Sequence, residues 1–300
     1  MFHKFNLPPE QVLDVEPTCD TAPLGYHWES TKYAIYDKQI DKWVRIYNLI
    51  KDSTEKSNSL FSTKWQNNIT ADTIKERKKE YKVGYLHIPD NFDSLPTLSI
   101  FGKDFIAPET IDLRDYCVKT EDQGSKPWCA AYAACGFASN ILWRKNDYPT
   151  SFNKEEIYKY AKSIDGSPKT DGTSLDAVLK ALLHFNYFDK DICSVKILRT
   201  SLQVKYAIHK FGCCLLGMMV TDEWYRCNRS KSTISGTNDN ALGGHAVLAC
   251  GYNRDGIIIQ NSWNEGWGSY GFALITWDEF NREFIYGAVL DNCLYNTKMN

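Results

Sequence analysis

Apolar and polar positions follow two different regimes along the 300-residue chain. Between 31 and 50, Tyr33, Tyr36, Ile40, Trp43, Tyr47 and Ile50 recur at spacings of three and four. Lys32, Asp37, Lys38, Asp41, Lys42 and Arg45 fall between them. That period predicts an amphipathic helix capped at Ser30-Thr31, its aromatic stripe read as core packing. Residues before it show no clean period and are expected to be irregular. Thr70 or Asp72 then caps a second helix through Glu80, and its run of charges reads as a solvated face. Residues 81–108 carry Gly84, Pro89, Pro96 and Gly102 among apolar positions, which predicts an extended path.

Beyond 108 the pattern is more regular. Gly124 and Pro127 break any earlier helix, and the Ala-rich run after Cys129 predicts a helix to about residue 145. A helix begins near Asn153, and Asp171-Gly172-Thr173-Ser174 caps another over 175–183. From Cys193 strands take over: 195–198, 213–220, an apolar run opened by His245, and Ile257-Ile258-Ile259. A short helix covers 202–211, a polar loop spans 225–241, and Gly271 to Ile275 reads as the final strand. Helices first and strands later give an α+β protein with a cleft between its halves. Such clefts are where ligands bind.

Composition changes this picture little. Net charge is −2 with both signs mixed, so neither nucleic acid nor an anionic membrane is an expected partner. No apolar run is long enough to span a membrane as a helix. Met1 to Pro9 lack the apolar stretch of a signal peptide. There are ten cysteines, two of them adjacent at Cys213-Cys214 and several in apolar runs, with no CxxC pair. This predicts reduced thiols in a cytoplasmic setting and no zinc site. Export as an effector by a dedicated secretion route stays open.

The chemistry gathers at Asp122-Gln123-Gly124-Ser125-Lys126-Pro127-Trp128-Cys129. Cys129 sits where a tight loop enters a helix, so the positive end of the dipole favours its thiolate. A thiolate is the nucleophile of covalent acyl transfer. Cys135 is the rival, but it lies mid-helix, where the dipole offers nothing. His245 opens an apolar strand after Gly243-Gly244, and Asn261 follows the next strand. In a hairpin those two side chains would be neighbours, and an Asn amide can fix which ring nitrogen faces the thiol.

With these residues in place, the chain from Asp112 onward resembles the papain-like cysteine proteases, which implies a helical half and a β-barrel-like half with the active-site cleft between them. Gln123, Cys129, His245 and Asn261 occur in that family's order, and Asn261-Ser262-Trp263 followed by Gly266-Trp267-Gly268 is similar to its C-terminal signature. The resemblance implies Gln123 and the Cys129 N–H as oxyanion donors and Cys129 as nucleophile. It implies His245 as general acid/base and Asn261 as its orienting partner. It also implies Trp263 as a shield of the His–Asn contact, Trp267 on the leaving-group side, and Gly172 and Gly244 at the substrate. Lys126 stands where the family carries a half-cystine, and Trp128 replaces a small residue beside the nucleophile.

The implied reaction is hydrolysis of a peptide or protein without metal or organic cofactor. A Cys–His transferase or deamidase, and a non-catalytic binding module on the same fold, remain as alternatives. Pro108 resembles the start of the mature domain, so the chain divides into 1–107 and 108–300. The first part reads in three ways: an inhibitory prosegment, helical and then extended; a domain that holds a protein inhibitor or partner; or a scaffold.

Overall fold

The computed structural model describes residues 71–81, 83, 86–100, 105–146, 150–236 and 241–293, and before them the backbone of four strands within 3–51. Two compact units emerge, Met1–Asn58 and Ser59–Asn300.

In the first unit, β1 (His3–Lys4), β2 (Val12–Leu13), β3 (Tyr26–Asp37) and β4 (Lys42–Lys51) form a sheet of order β1-β3-β4-β2. Strands β3 and β4 pair antiparallel from Tyr26↔Lys51 to Asp37↔Lys42, with a register shift between Ser30 and Ala34. This hairpin overturns the helix expected over 31–50, and strands replace part of the irregular stretch before it. The physical reason is composition. Trp28, Tyr33, Ile35, Tyr36, Trp43, Val44, Ile46 and Tyr47 are aromatic or β-branched, which favours a pleated surface over a helix. Ile40 and the polar loop expected at 51–59 (after Lys51) lie outside the described residues.

The second unit opens with α1 (Ala71–Glu80), the charged helix the sequence predicts. Residues 86–100 run extended, apart from a 3₁₀ turn at Phe92–Ser94 and a single bridge from Thr97 to Ile197. Then come β5 (Ile111–Asp112), α2 (Cys129–Asn146), α3 (Lys154–Ile164), α4 (Leu175–His184) and β6 (Ser194–Leu198). They are followed by α5 (Ser201–Phe211), β7 (Cys214–Val220), α6 (Asp222–Arg226), β8 (Thr233–Ile234) and β9 (Gly243–Tyr252). The chain ends in β10 (Gly256–Gln260), β11 (Phe272–Thr276), α7 (Trp277–Glu283) and β12 (Phe284–Asp291). Caps fall where expected: Asn153 accepts from the N–H groups of Glu155 and Glu156, and Ser174 accepts from Ala177 N–H.

Two expectations are corrected here. The stretch 225–241 holds the end of α6 and all of β8, and β11 is not the last strand. The apolar run of β12 follows α7 and enters the sheet between β6 and β7. The larger sheet is open, in the order β6-β12-β7-β9-β10-β11-β8, with β5 paired to the far end of β9. Helix α2 is buried almost all round. Ala131, Ala134, Phe137, Ala138 and Ile141 are inaccessible, as befits a helix apolar on every face. Gly136 lets it lie close to β9: a Cβ there would meet Leu248 Cδ2 at 3.3 Å. Helices on one side and sheet on the other make the α+β architecture. Among the described residues no helix is long and apolar enough to cross a membrane.

Candidate active site

Strands β9 and β10 are adjacent and antiparallel, so their ends deliver His245 and the residue after β10, Asn261, to one place. The His245 Nε2 lies 2.8 Å from Asn261 Oδ1. Since Oδ1 can only accept, Nε2 carries the proton in the neutral ring and Nδ1 is the unprotonated nitrogen. That Nδ1 has no hydrogen-bond partner among the described residues. Asn261 Oδ1 also accepts from Ser262 N–H at 2.8 Å, which fixes the amide.

Gln123 is stitched to the same turn. Its N–H donates to Ser262 C=O at 2.9 Å, and its Oε1 accepts from Ser262 Oγ at 2.6 Å. Its Nε2 donates to Lys126 C=O at 3.0 Å. The loop that leads to Cys129 is thus anchored on the residue next to Asn261. Cys129 is buried and is the first residue of α2. Its N–H is one of the four that a helix leaves outside its own ladder. Bonds through Ser262 and Asn261 thus join Gln123 to His245, and the loop from Gln123 leads to Cys129 at the head of α2.

Lys126 and Trp128, the two departures in this loop, act together. Lys126 Nζ sits 4.3 Å above the Trp128 ring. Trp128 stacks on Tyr158 of α3 with centroids 5.4 Å apart. The Tyr158 hydroxyl in turn takes a hydrogen bond from the backbone of Gly172. An aromatic stack thus ties the loop before Cys129 to the Gly172 loop. Gly172 itself has φ +77°, a conformation that glycine adopts freely.

Trp263 and Trp267 are both buried. Trp263 lies 4.9 Å from the His245 ring and stacks on Tyr225 at 5.1 Å and Tyr81 at 5.4 Å. Trp267 Nε1 donates to Trp224 C=O at 2.7 Å. Trp224 meets the imidazole edge-on at 6.1 Å. Enclosed this way, His245 is pushed down to about 4 by burial, an effect the Asn261 bond only partly offsets.

That shift has a sign. An unfolded histidine titrates near 6.5. Between about pH 6.5 and 4 the unfolded chain binds a proton that the folded chain does not. Stability is therefore full above 6.5 and falls as the pH drops through that window, by about 3 kcal/mol for this one group. Thermal melts of the parent and of His245→Gln between pH 7 and 4.5 check this: the variant should lose less stability on acidification.

Cys135, the rival thiol, is mid-helix, and burial pushes it up to about 12. It lines a cavity of about 240 Å³ behind Asn261, together with Ser139, Thr150 and Gln260. Such a thiol has no thiolate character at neutral pH. Among the described residues, no group of three His, Cys, Asp or Glu side chains could hold a metal ion.

The remaining feature is a segment across the site. Tyr81 covers Trp263, and its hydroxyl accepts from Asn264 Nδ2 at 3.1 Å. Leu86 packs over two glycines on neighbouring strands: a Cβ on Gly217 would come within 2.2 Å of its Cδ2, and one on Gly244 within 2.9 Å of its Cβ. His87 N–H donates to Thr173 C=O at 3.4 Å, and His87 C=O accepts from Tyr286 at 3.2 Å. The segment therefore touches Gly244, beside His245, and Thr173, beside Gly172.

The fold is that of the papain-like cysteine proteases. Residues 152–288 match the model of the papain family cysteine protease. Xylellain, a cysteine protease from Xylella fastidiosa, is similar at 20% identity and TM-score 0.57, covering 72% of this chain and 98% of its own. Procathepsin B S9 from Trypanosoma congolense is similar at 16% identity and TM-score 0.56, covering 77% of this chain and 91% of its own. The digestive procathepsin L 3 of Tenebrio molitor is similar at 16% identity and TM-score 0.51, with 73% and 78% covered. Among curated proteins, none matches the chain in sequence.

Within this papain-like frame, sequence reasoning missed Tyr81, Leu86, Trp224 and Tyr286. Tyr81 and Leu86 lie more than 130 residues before the glycines and tryptophan they cover. Nothing in their local pattern marks that contact. Trp224 had one legible signal, an aromatic residue after the buried strand 213–220, but no spacing relation to His245.

Proposed function

We propose that the chain is a cysteine peptidase whose own residues 71–98 cover its cleft. One observation carries this reading. His245 is held through Nε2 by Asn261, and the Asn261–Ser262 turn is bonded to Gln123 in the loop that enters the Cys129 helix. That is the arrangement a Cys–His nucleophile needs. Cys129 attacks the carbonyl carbon as thiolate and the amide C–N bond breaks. His245 takes the Cys129 thiol proton, gives it to the leaving amine, and then takes a proton from the water that hydrolyses the thioester and releases the thiolate. The Cys129 N–H and the Gln123 amide hold the oxygen anion.

Covering fits the other contacts. Helix α1 docks on α6 through Arg77, which donates to the carbonyls of Tyr225 and Cys227 at 2.7 and 2.8 Å, and through a Lys78–Asp222 ion pair. Tyr81, Leu86 and His87 then cross the site, and the neutral, buried His245 belongs to this closed state. Two of the similar structures carry the prefix "pro" in their names, consistent with a precursor form here. We accordingly assign 1–107 as regulatory and 108–300 as catalytic. The described residues between 71 and 98 belong to the larger unit, as those of a docked inhibitory segment would. Nine cysteines of the described residues stand outside any disulfide, which fits a reducing, cytoplasmic setting; a role as an exported effector would use the same chemistry.

The deciding experiment is Cys129→Ala. Peptide turnover by the opened enzyme should fall by a factor of about 10⁴ or more, because the nucleophile is gone. Intact-mass analysis of products separates the outcomes. Cleaved peptide supports the peptidase. A Gln→Glu mass change or an amine adduct without cleavage supports a deamidase or transferase. Unchanged biological activity in the variant supports a binding module.

Leu86 also indicates a substrate. It fills a depression floored by Gly217 and Gly244, so peptides presenting leucine there should be cleaved best. Gly217→Val fills that depression. It should cut kcat/KM for leucine peptides roughly 10-fold or more, and less for alanine peptides, in a peptide-library assay.

A further inference from the structure

Helix α7 carries two carboxyl groups one turn apart, Glu279 and Glu283, and both are buried. Isolated buried carboxylates are costly unless hydrogen-bonded, and two together are costlier. Glu283 is bonded at both oxygens. Oε1 accepts from Thr221 Oγ1 at 2.9 Å, and Oε2 accepts from Trp224 Nε1 at 2.8 Å. Glu279 accepts from Gly236 N–H at 2.6 Å and pairs with Arg282. Burial, and after it the neighbouring Glu279 side chain, favours the protonated form of Glu283.

Trp224 is the link to chemistry. It is fully buried, its edge meets the His245 ring, and its backbone carbonyl holds Trp267. Asn261 bonds one nitrogen of the imidazole and leaves the ring free to swing about that bond. What checks the swing is the Trp263 face on one side and the Trp224 edge on the other. At its indole N–H, Trp224 is held by Glu283.

We propose that Glu283 is a positioning residue for His245, fixing Trp224 in the cage that aims Nδ1. The proposal rests on the cysteine-peptidase reading for its functional consequence. Burial beside Glu279 raises Glu283 to about 8. At neutral pH Glu283 therefore holds a proton. Above about pH 8 Glu283 becomes a buried charge beside Glu279, which loosens its hold on Trp224. The other charges near this group are already engaged. Asp222 pairs with Lys78, Glu223 pairs with Arg226 and with Lys231 at 2.7 Å, and Arg77 is spent on carbonyls of α6. The neighbouring Cys227 is pushed up to about 12 by burial, leaving Glu283 as the group that titrates there.

The test uses the full-length chain with histidine rings labelled at Cε1 by carbon-13, followed by NMR from pH 5 to 10. The His245 signal is assigned by its loss in His245→Gln. In the parent it should shift in a step near pH 8, and in Glu283→Gln that step should vanish. Glu283→Ala and Trp224→Phe should each displace the signal, and the double variant should displace it no further, since both act through one contact. On any peptide the parent cleaves, Glu283→Ala should lower kcat at least tenfold with KM changed less than threefold. Glu283→Gln should restore most of that loss at pH 6–7. A folded Glu283→Ala whose His245 signal and pH profile match the parent overturns the proposal. So does an alkaline step that survives in Glu283→Gln. If Glu283→Ala does not fold, Glu283→Gln and Trp224→Phe decide by the same readings. If the parent cleaves no peptide, the peptidase reading falls, while the His245 signal still decides the role of Glu283.

Discussion

In a Tyr81→Ala/Leu86→Ala chain, Cys129 should react with an epoxysuccinyl probe at least 100-fold faster than in the parent at pH 6–7. Both side chains are nearly inaccessible, and each covers a part of the site: Tyr81 stacks on Trp263, and Leu86 lies over Gly217 and Gly244. Large-to-alanine changes at buried positions cost about 2–5 kcal/mol each. Both substitutions remove packing between the segment and the site, so their cost falls on the docked state. About 3 kcal/mol moves an opening equilibrium roughly 100-fold, since each 1.4 kcal/mol is a factor of ten. Labelling is read by intact mass and by the labelled residue, with Cys129→Ala as the blank. A melt of each variant separates opening from unfolding. If the rate is unchanged while the melt stays cooperative, the segment does not gate the thiol. If the rate rises only as far as global unfolding rises, residues 71–98 are scaffold.

The covering segment and the catalytic frame were unequally legible in the sequence. His245 and Asn261 could be placed side by side because two β-rich runs, joined by a short polar turn, leave little choice but a hairpin. Once paired, their ends coincide. The helix start at Cys129 was legible because a helix entered after Gly124 and Pro127 is a local event. The caps at Asn153 and Ser174 are local in the same way. The 26–51 hairpin was misread because six aromatic and aliphatic residues fit spacings of three and four by chance. Neighbours such as Ile35, Val44 and Ile46, off that stripe, carry the β preference. The aromatic cage was not legible at all. Trp224, Trp263 and Tyr81 come from α6, a turn after β10 and the end of α1, and only the folded sheet brings them to one imidazole. The same holds for Glu283, whose partners Thr221 and Trp224 lie about sixty residues earlier.

Gln123→Ala should lower kcat of the opened enzyme by about 10²–10³ with little change in KM, the usual cost of one oxyanion donor. Two roles of Gln123 must be separated, because it does structural work as well. Its Oε1 accepts from Ser262 Oγ, and its Nε2 donates to Lys126 C=O in the loop before Cys129. Without these bonds the joint between the nucleophile loop and the Asn261 turn loosens. Ser262→Ala removes the first of them and leaves the Gln123 amide in place. If Gln123 acts only by holding the loop, Ser262→Ala should reproduce a large part of the loss. Epoxide labelling of Cys129 should then slow in both variants, because the thiolate itself is misplaced. If Gln123 acts on the oxygen anion, Ser262→Ala stays within about threefold of the parent. In that case alkylation of Cys129 by iodoacetamide, which builds no oxyanion, keeps its rate in Gln123→Ala while peptide turnover collapses. The two rates measured on one preparation therefore divide positioning from charge stabilisation. The division is sharp because, of the two reactions, peptide hydrolysis alone places negative charge on a carbonyl oxygen in its transition state.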